Sequence, residues 1–203
     1  MKGGKFIVLE GVEGAGKSRQ CQLLSAALVE RGYDVVTTRE PGGAPLGEKL
    51  RELLLDPAYS PDAITELYLY SASRRDHLNA IILPALEAGK VVVCDRFIYS
   101  TLAYQGYARG LDLDFVREVN ARTVAPLKAD LALFLDITPE DGFKRKGGAD
   151  ESDRLEHESA EFFNRVYRGF KDMCAKGELT AIDASGTKQE TAQKILEAVL
   201  AVL

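Results

Sequence analysis

Residues 11–18 carry the clearest chemistry in this chain: Gly11-Val12-Glu13-Gly14-Ala15-Gly16-Lys17-Ser18. The pattern G-x-x-x-x-G-K-S builds a cradle for phosphate. Its glycines let successive backbone N–H groups turn inward around phosphate oxygens, and a helix starting at the lysine brings its positive end to the same anion. Lys17 is placed to reach the outer phosphates of a nucleoside triphosphate, and the Ser18 hydroxyl to ligate Mg²⁺. Asp95 follows the apolar run 91–94, so it is expected at the carboxyl end of a strand, holding Mg²⁺ through water. Helix capping or a plain ion pair is the alternative use of that carboxylate. Arg96, next to it, points into the same crevice in this reading. Asp136 also follows an apolar run but precedes Ile137-Thr138-Pro139-Glu140, and it reads as structural.

These groups need a frame. Short apolar runs at 6–9, 34–38, 91–94, 131–136 and 179–183 alternate with helical patterns. The cradle lies between the first run and a helix with Leu23, Leu24, Ala27 and Leu28 on one face, stopped by Gly32. Residues 46–55 read as helix, 62–88 as a long helix kinked or split near Pro84, and 97–124 as continuous helical material. A helix through Phe162, Phe163, Val166, Tyr167 and Phe170 and a last one over 187–202 complete the series. The basic stretch from Lys144 to Arg154, with Gly147-Gly148-Ala149 inside it, reads as a mobile segment. Apolar, β-branched residues in succession suit strands covered on both faces. The expected fold is therefore α/β: one domain over 1–203, built on a parallel five-stranded sheet with helices on both faces. Ligands in such sheets bind beyond the carboxyl ends of the strands.

Composition narrows the partners. The chain is 46% hydrophobic and 28% charged, enough to build a core, and its 26 basic against 31 acidic residues argue against coating a nucleic-acid polymer or an anionic membrane. Cys21, Cys94 and Cys174 are scattered, and His77 and His157 lie far apart, so no zinc spacing arises and a reducing cytoplasm is the expected setting. No apolar run reaches the roughly 18 residues of a membrane span, and the stretch 6–9 is too short for a signal peptide. The [NT]-K-x-D pattern with which GTPase switches usually read guanine does not occur.

The remaining motifs resemble the thymidylate kinase family from Phe6 to about Phe170. They are Leu9-Glu10-Gly11, Thr38-Arg39-Glu40-Pro41-Gly42-Gly43, Gly47-Glu48-Lys49-Leu50-Arg51, Asp95-Arg96-Phe97 with Ser100-Thr101-Leu102-Ala103-Tyr104-Gln105-Gly106, and Asp153-Arg154-Leu155-Glu156. The resemblance implies transfer of phosphate from ATP, with Mg²⁺, to dTMP, a short lid over about 140–156, and a homodimer. It implies that Tyr70 stacks on thymine, where phenylalanine is the family's usual residue, and that Arg74, four residues on and so on the same helix face, hydrogen-bonds the base. Arg51 and Arg96 are implied to clamp the dTMP phosphate, with Arg39 near it, because guanidinium forks bind phosphate bidentately. Tyr104 is implied to crowd the 2′ position, with Thr101 and Gln105 as polar neighbours of the base. Glu13 is implied to organise the acceptor side with Arg96 as its partner. Because position 14 is glycine rather than the arginine of some relatives, the resemblance implies that the lid supplies the cation at the transferring phosphoryl. Lys144, Arg145, Lys146 and Arg154 are the candidates, and Arg145 is taken for the catalytic role beside Lys17, Arg96 and Glu13. The loop Asp183-Ala184-Ser185-Gly186 reads as the adenine side. A kinase for another nucleoside monophosphate, or a non-catalytic nucleotide switch, is the rival reading.

Overall fold

The computed structural model describes residues 3–148, 150 and 152–203; Ala149 and Glu151 of the expected lid, like Met1 and Lys2, lie outside the described residues. Five strands, β1 (Lys5–Glu10), β2 (Val35–Arg39), β3 (Val91–Asp95), β4 (Leu131–Asp136) and β5 (Thr180–Asp183), form one parallel sheet in the order β2-β3-β1-β4-β5. Ile7, Val8 and Leu9 are all fully buried, because helices cover both faces of this central strand.

The strand order decides which helices lie where. The chain steps out from β1 to β2, then returns across β3 and β1 to β4 and β5. Right-handed crossover therefore puts α1 (Lys17–Val29) on one face, where α9 (Lys188–Leu200), following the last strand, packs against it. The opposite face carries α3 (Ala63–His77), α6 (Leu113–Val124) and α8 (Ala160–Ala175). On that side Phe134 of β4 stacks on Phe170 with ring centroids 5.0 Å apart. In register Leu9 pairs with Asp95, so the loop leaving β1 opens beside the end of β3.

One helical expectation, the split near Pro84, is met, and two are corrected. Residues 62–88 form α3, capped by Asp62 accepting from Thr65 N at 2.8 Å, then a wider π turn (Leu78–Ile82) and α4 (Leu83–Glu87). The widened turn falls just before Pro84, whose ring and missing N–H disturb an ordinary ladder. Residues 97–124 are not continuous: α5 (Ile98–Thr101) runs into a π turn (Leu102–Ala108), the chain turns at Gly110 with φ 81°, and α6 starts afresh with Asp112 capping Phe115 N. Both interruptions had sequence signals, Pro84 for the first and Gly110 with the Asp112 cap for the second. Lys144, Arg145 and Lys146 form the last turn of α7 (Pro139–Lys146), which Thr138 caps and Gly147 ends at φ 90°. Cations at a helix carboxyl end complement its dipole, so these residues are helical rather than part of a loop.

Candidate active site

The helix α1 begins at Lys17 with Gly16 in the left-handed region, no side-chain cap and no acid in its first turn. Its first N–H groups are thus presented to an anion. Gly11, Val12, Ala15 and Gly16 form the bend, while Glu13, Gly14, Lys17 and Ser18 line the crevice itself. Lys17 Nζ donates to Gly11 O and Val12 O at 3.0 and 2.9 Å. Burial pushes its ammonium down to about 8, with repulsion from Arg96 adding and attraction to Asp95, Glu13 and Glu10 opposing. Ser18 Oγ donates to Asp95 Oδ2 at 2.6 Å, which places two hard oxygen donors side by side at the cradle's edge. Among the described residues no group of three or more His, Cys, Asp or Glu side chains gathers as a metal site.

The middle of the crevice is a tight charged knot. Arg96 Nη2 donates to Glu13 Oε1 at 2.8 Å, the pairing expected for these residues, and Tyr104 Oη lies 2.8 and 2.6 Å from the two Glu13 oxygens. The Arg96 guanidinium stands 5.2 Å from the Tyr104 ring centroid. Burial works against the Glu13 carboxylate, but Arg96, Lys17 and the Tyr104 hydroxyl together hold it below the usual range. Arg96 itself has φ 71°, an uncommon conformation for a side-chain-bearing residue.

Glu10 holds that strained turn in place. Fully buried at the end of β1, it accepts from Phe97 N at 2.8 Å, Ser100 N at 3.1 Å and Ser100 Oγ at 2.6 Å, and Ser100 Oγ in turn accepts from Arg96 Nη1. Burial raises its carboxyl to about 7 against these hydrogen bonds and the nearby Arg96. Sequence reading gave Glu10 no role; its one signal was a carboxylate ending an otherwise apolar strand.

Beyond the knot lie the groups expected to receive the second substrate. Arg39, Arg51, Tyr70, Arg74, Thr101 and Gln105 all line the same crevice. Arg39 forms a two-pronged pair with Glu48 at 2.8 and 3.0 Å, and Arg51 donates to Pro41 O at 3.1 Å. Burial and the neighbouring Arg39 push the Arg51 guanidinium down, the mark of like charges gathered at one place. Tyr70 is half-buried one helical turn from Arg74, which is almost fully buried. Four of the five Arg74 N–H donors are engaged. Nε donates to Glu40 at 2.7 Å, Nη1 to Thr101 and Asn120 at 2.8 and 3.1 Å, and Nη2 to Phe97 O at 3.1 Å. One N–H is left for the crevice. Glu40 and Asn120, which lock this arginine, were not found from sequence, because nothing local distinguishes them from exposed polar residues.

The lid cations part company. Arg145 does not line the crevice; its guanidinium donates to Ala184 O, Ser185 O and Gly186 O at 2.7, 2.6 and 3.3 Å. That geometry sets it against the β5–α9 loop rather than at the junction where a catalytic role was expected. Lys144 pairs with Glu140 at the surface, and Arg154 donates to Leu54 O and Glu66 at 3.0 and 2.6 Å. Lys146, paired with Glu156, is the member of the four that lines the crevice. α7 approaches the cradle so closely that Gly14 and Gly142 meet backbone to backbone.

Comparison with known proteins agrees with this arrangement. The family model described as thymidylate kinase matches residues 9–195. The chain is 49% identical over 194 residues to the thymidylate kinase of Synechococcus sp. (strain JA-3-3Ab), covering 94% of this chain and 92% of that one. It is 42% identical over 193 residues to the thymidylate kinase of Caldicellulosiruptor saccharolyticus, covering 95% and 94%. The crystal structure of the thymidylate kinase from Ehrlichia chaffeensis matches with a TM-score of 0.78 and 34% identity, over 97% of this chain and 99% of that one. A phosphate cradle at one end of the crevice, guanidinium groups and an aromatic at the other, and these likenesses along nearly the whole chain lead to one assignment: the chain belongs to the thymidylate kinase family.

Proposed function

We propose that this protein transfers the γ-phosphoryl group of ATP to the 5′-phosphate of dTMP, giving ADP and dTDP. The observation that carries the reading is the two-ended crevice: a helix-headed cradle faces Arg39, Arg51 and Arg96, and Tyr70 with Arg74 lies beyond them. A phosphate monoester is largely ionised at neutral pH, so its oxygen needs little deprotonation before attack. It needs relief from anion repulsion and in-line placement. Lys17, the cradle N–H groups and Arg96 are arranged to provide both. Glu13, gripped by Arg96 and Tyr104, then orients the arginine and does not act as a base.

Ser18 and Asp95 are the residues that would hold Mg²⁺, since adjacent hydroxyl and carboxylate oxygens suit a hard cation that keeps most of its water. When bound, that ion neutralises charge on the donor phosphates. Lys146 is the lid cation that fits the junction, because it alone of Lys144, Arg145, Lys146 and Arg154 both comes from α7 and lines the crevice. Arg145, beside the 184–186 loop, fits the adenine side instead. The segment 140–156, α7 included, serves as the lid of a single domain. Two copies pairing through α3 and α6, where Ile64 and Tyr68 are exposed beside Phe115 and Val119, is the assembly we infer, and sedimentation velocity tests it. No helix among the described residues is long and apolar enough to cross a membrane, and the buried free thiols of Cys21 and Cys94 suit a cytoplasmic setting.

The test is turnover with Mg-ATP across dTMP, dUMP, UMP, CMP, AMP and GMP. dTMP is expected to give the highest kcat/KM. Tight nucleotide binding without transfer to any monophosphate would overturn the assignment in favour of a switch. Abolition of turnover by Glu13→Gln, through loss of a titrating group from the pH profile, would overturn the base-free mechanism.

A further inference from the structure

A second buried carboxylate lies outside the phosphate chemistry. Glu66, in the first turn of α3 and one helical turn before Tyr70, is fully buried. Its Oε1 accepts from Gln105 Nε2 at 2.8 Å and Arg109 Nε at 3.2 Å, and its Oε2 accepts from Arg109 Nη2 at 3.2 Å and Arg154 Nη2 at 2.6 Å. Burial alone would raise its pKa, yet hydrogen bonds from Arg109 and Gln105 and the Arg109 and Arg154 cations keep it below the usual range. Glu66 is thus an ionised acceptor on both oxygens, fixed from two sides by arginines.

The consequence falls on Gln105. A side-chain amide has a donor end and an acceptor end, and against a carboxylate only the NH₂ end can bond. The carbonyl oxygen must then point the other way. Gln105 lines the crevice, and its Oε1 has no protein partner among the described residues. Nor is it sealed in the core: Gln20 Oε1 is the one buried side-chain atom without a partner among the described residues. Arg74 lines the same crevice and keeps one N–H that its protein partners do not use. The wall therefore offers one acceptor and one donor.

We propose that Glu66 is the positioning residue that makes this crevice select a 4-keto pyrimidine, by turning the Gln105 amide so that its carbonyl oxygen faces the base. Thymine and uracil present a carbonyl at C4 and an N–H at N3, the complement of that wall. Cytosine presents an amino group at C4 and a lone pair at N3, so both contacts become like against like. A site that leaves buried polar groups unpaired discriminates strongly. If the amide were free to flip, its NH₂ would serve the cytosine N3 equally well and the discrimination would fall.

The inference rests on dTMP being the acceptor, and the experiment separates the two. kcat and KM are measured for dTMP, dUMP and dCMP with the wild-type protein, Glu66→Gln and Glu66→Asp. Glutamine can turn its own NH₂ toward Gln105, which then accepts through its carbonyl oxygen, and so releases the constraint. Aspartate keeps the charge that Arg109 and Arg154 need but withdraws it by one methylene, which protects folding if the glutamine variant fails. Each variant is expected to lower the dTMP-to-dCMP ratio of kcat/KM at least tenfold, through a higher KM for dTMP, with kcat at saturating dTMP within about threefold of wild type and dUMP tracking dTMP. A folded variant in which all three substrates lose activity by the same factor, leaving the ratio unchanged, overturns the proposal and makes Glu66 a structural residue. A wild-type protein that accepts dCMP as well as dTMP would instead defeat the proposed function.

Discussion

Gly14→Ala adds one methyl group where the cradle meets α7. On the present backbone that Cβ would lie 1.9 Å from Gly142 O and 2.4 Å from Gly142 C, both backbone atoms that no rotamer change can move. Reaching ordinary contact requires the loop and the helix to part by about 1.5 Å. Such overpacking costs about 1–3 kcal/mol. The Gly14 φ of +70° brings a second cost of about 1–2 kcal/mol for a β-carbon in the left-handed region. The expected loss is therefore about 2–5 kcal/mol. Gly177→Ala isolates the backbone part, because Gly177 has φ +73° but nothing within 4 Å of an added Cβ. Urea denaturation of both variants should show Gly14→Ala destabilised by at least about 1 kcal/mol more than Gly177→Ala. Turnover of Gly14→Ala should fall too, since α7 carries Lys146 away as it retreats. Equal destabilisation of the two variants, with turnover of Gly14→Ala intact, would refute the close seating of α7 on the cradle. The same contact gives a physical reason for a side-chain-free position here: a residue as large as arginine needs the helix elsewhere.

Three further outcomes follow from the crevice. Arg96→Ala should lower kcat about 10²–10³-fold, the usual loss when one preorganised donor to a developing charge is removed, while ATP affinity stays within about threefold; collapse of ATP affinity with dTMP binding intact would put Arg96 on the donor side. Glu10 has a folded-state pKa of about 7 against 4.5 for the free group, so between those values the native state keeps a proton that the unfolded chain has lost. Stability from this group should thus decline as pH rises through that window, by about 3 kcal/mol in all, and the decline should flatten in Glu10→Gln; identical slopes for the two proteins in urea titrations would contradict it. Arg145→Ala frees the carbonyls of residues 184–186 and should raise KM for ATP several-fold with KM for dTMP unchanged, whereas a loss confined to kcat would return Arg145 to the transferring phosphoryl.

Local pattern made much of this protein legible. Strand β4 falls on the apolar run 131–136, and the glycine-rich turn before Lys17 stands between a strand and a helix because G-x-x-x-x-G-K-S has few other backbone solutions. The cradle, Asp95 at a strand end, and the Tyr70–Arg74 spacing could all be read from short stretches of chain. Glu10, Glu40 and Glu66 could not. Each is an acid whose importance comes from partners 34 to 90 residues away, as in the bonds from Ser100 to Glu10, Arg74 to Glu40 and Arg154 to Glu66. A carboxylate's local surroundings do not record whether it will be buried.

The lid shows the same division. The sequence offered Lys144, Arg145, Lys146 and Arg154 as candidate cations, with Arg145 taken for catalysis, and their placement separates them: one on exposed helix, one on carbonyls beyond β5, one at the crevice and one against Glu66. The amino-acid order by itself determined the elements, the cradle and the chemical class of its ligand, because those follow from periodicity, glycine freedom and residue type over a few positions. Tertiary packing decided which charges are desolvated and which meet. An electrostatic contact's strength depends on burial and distance, and the folded chain alone supplies both.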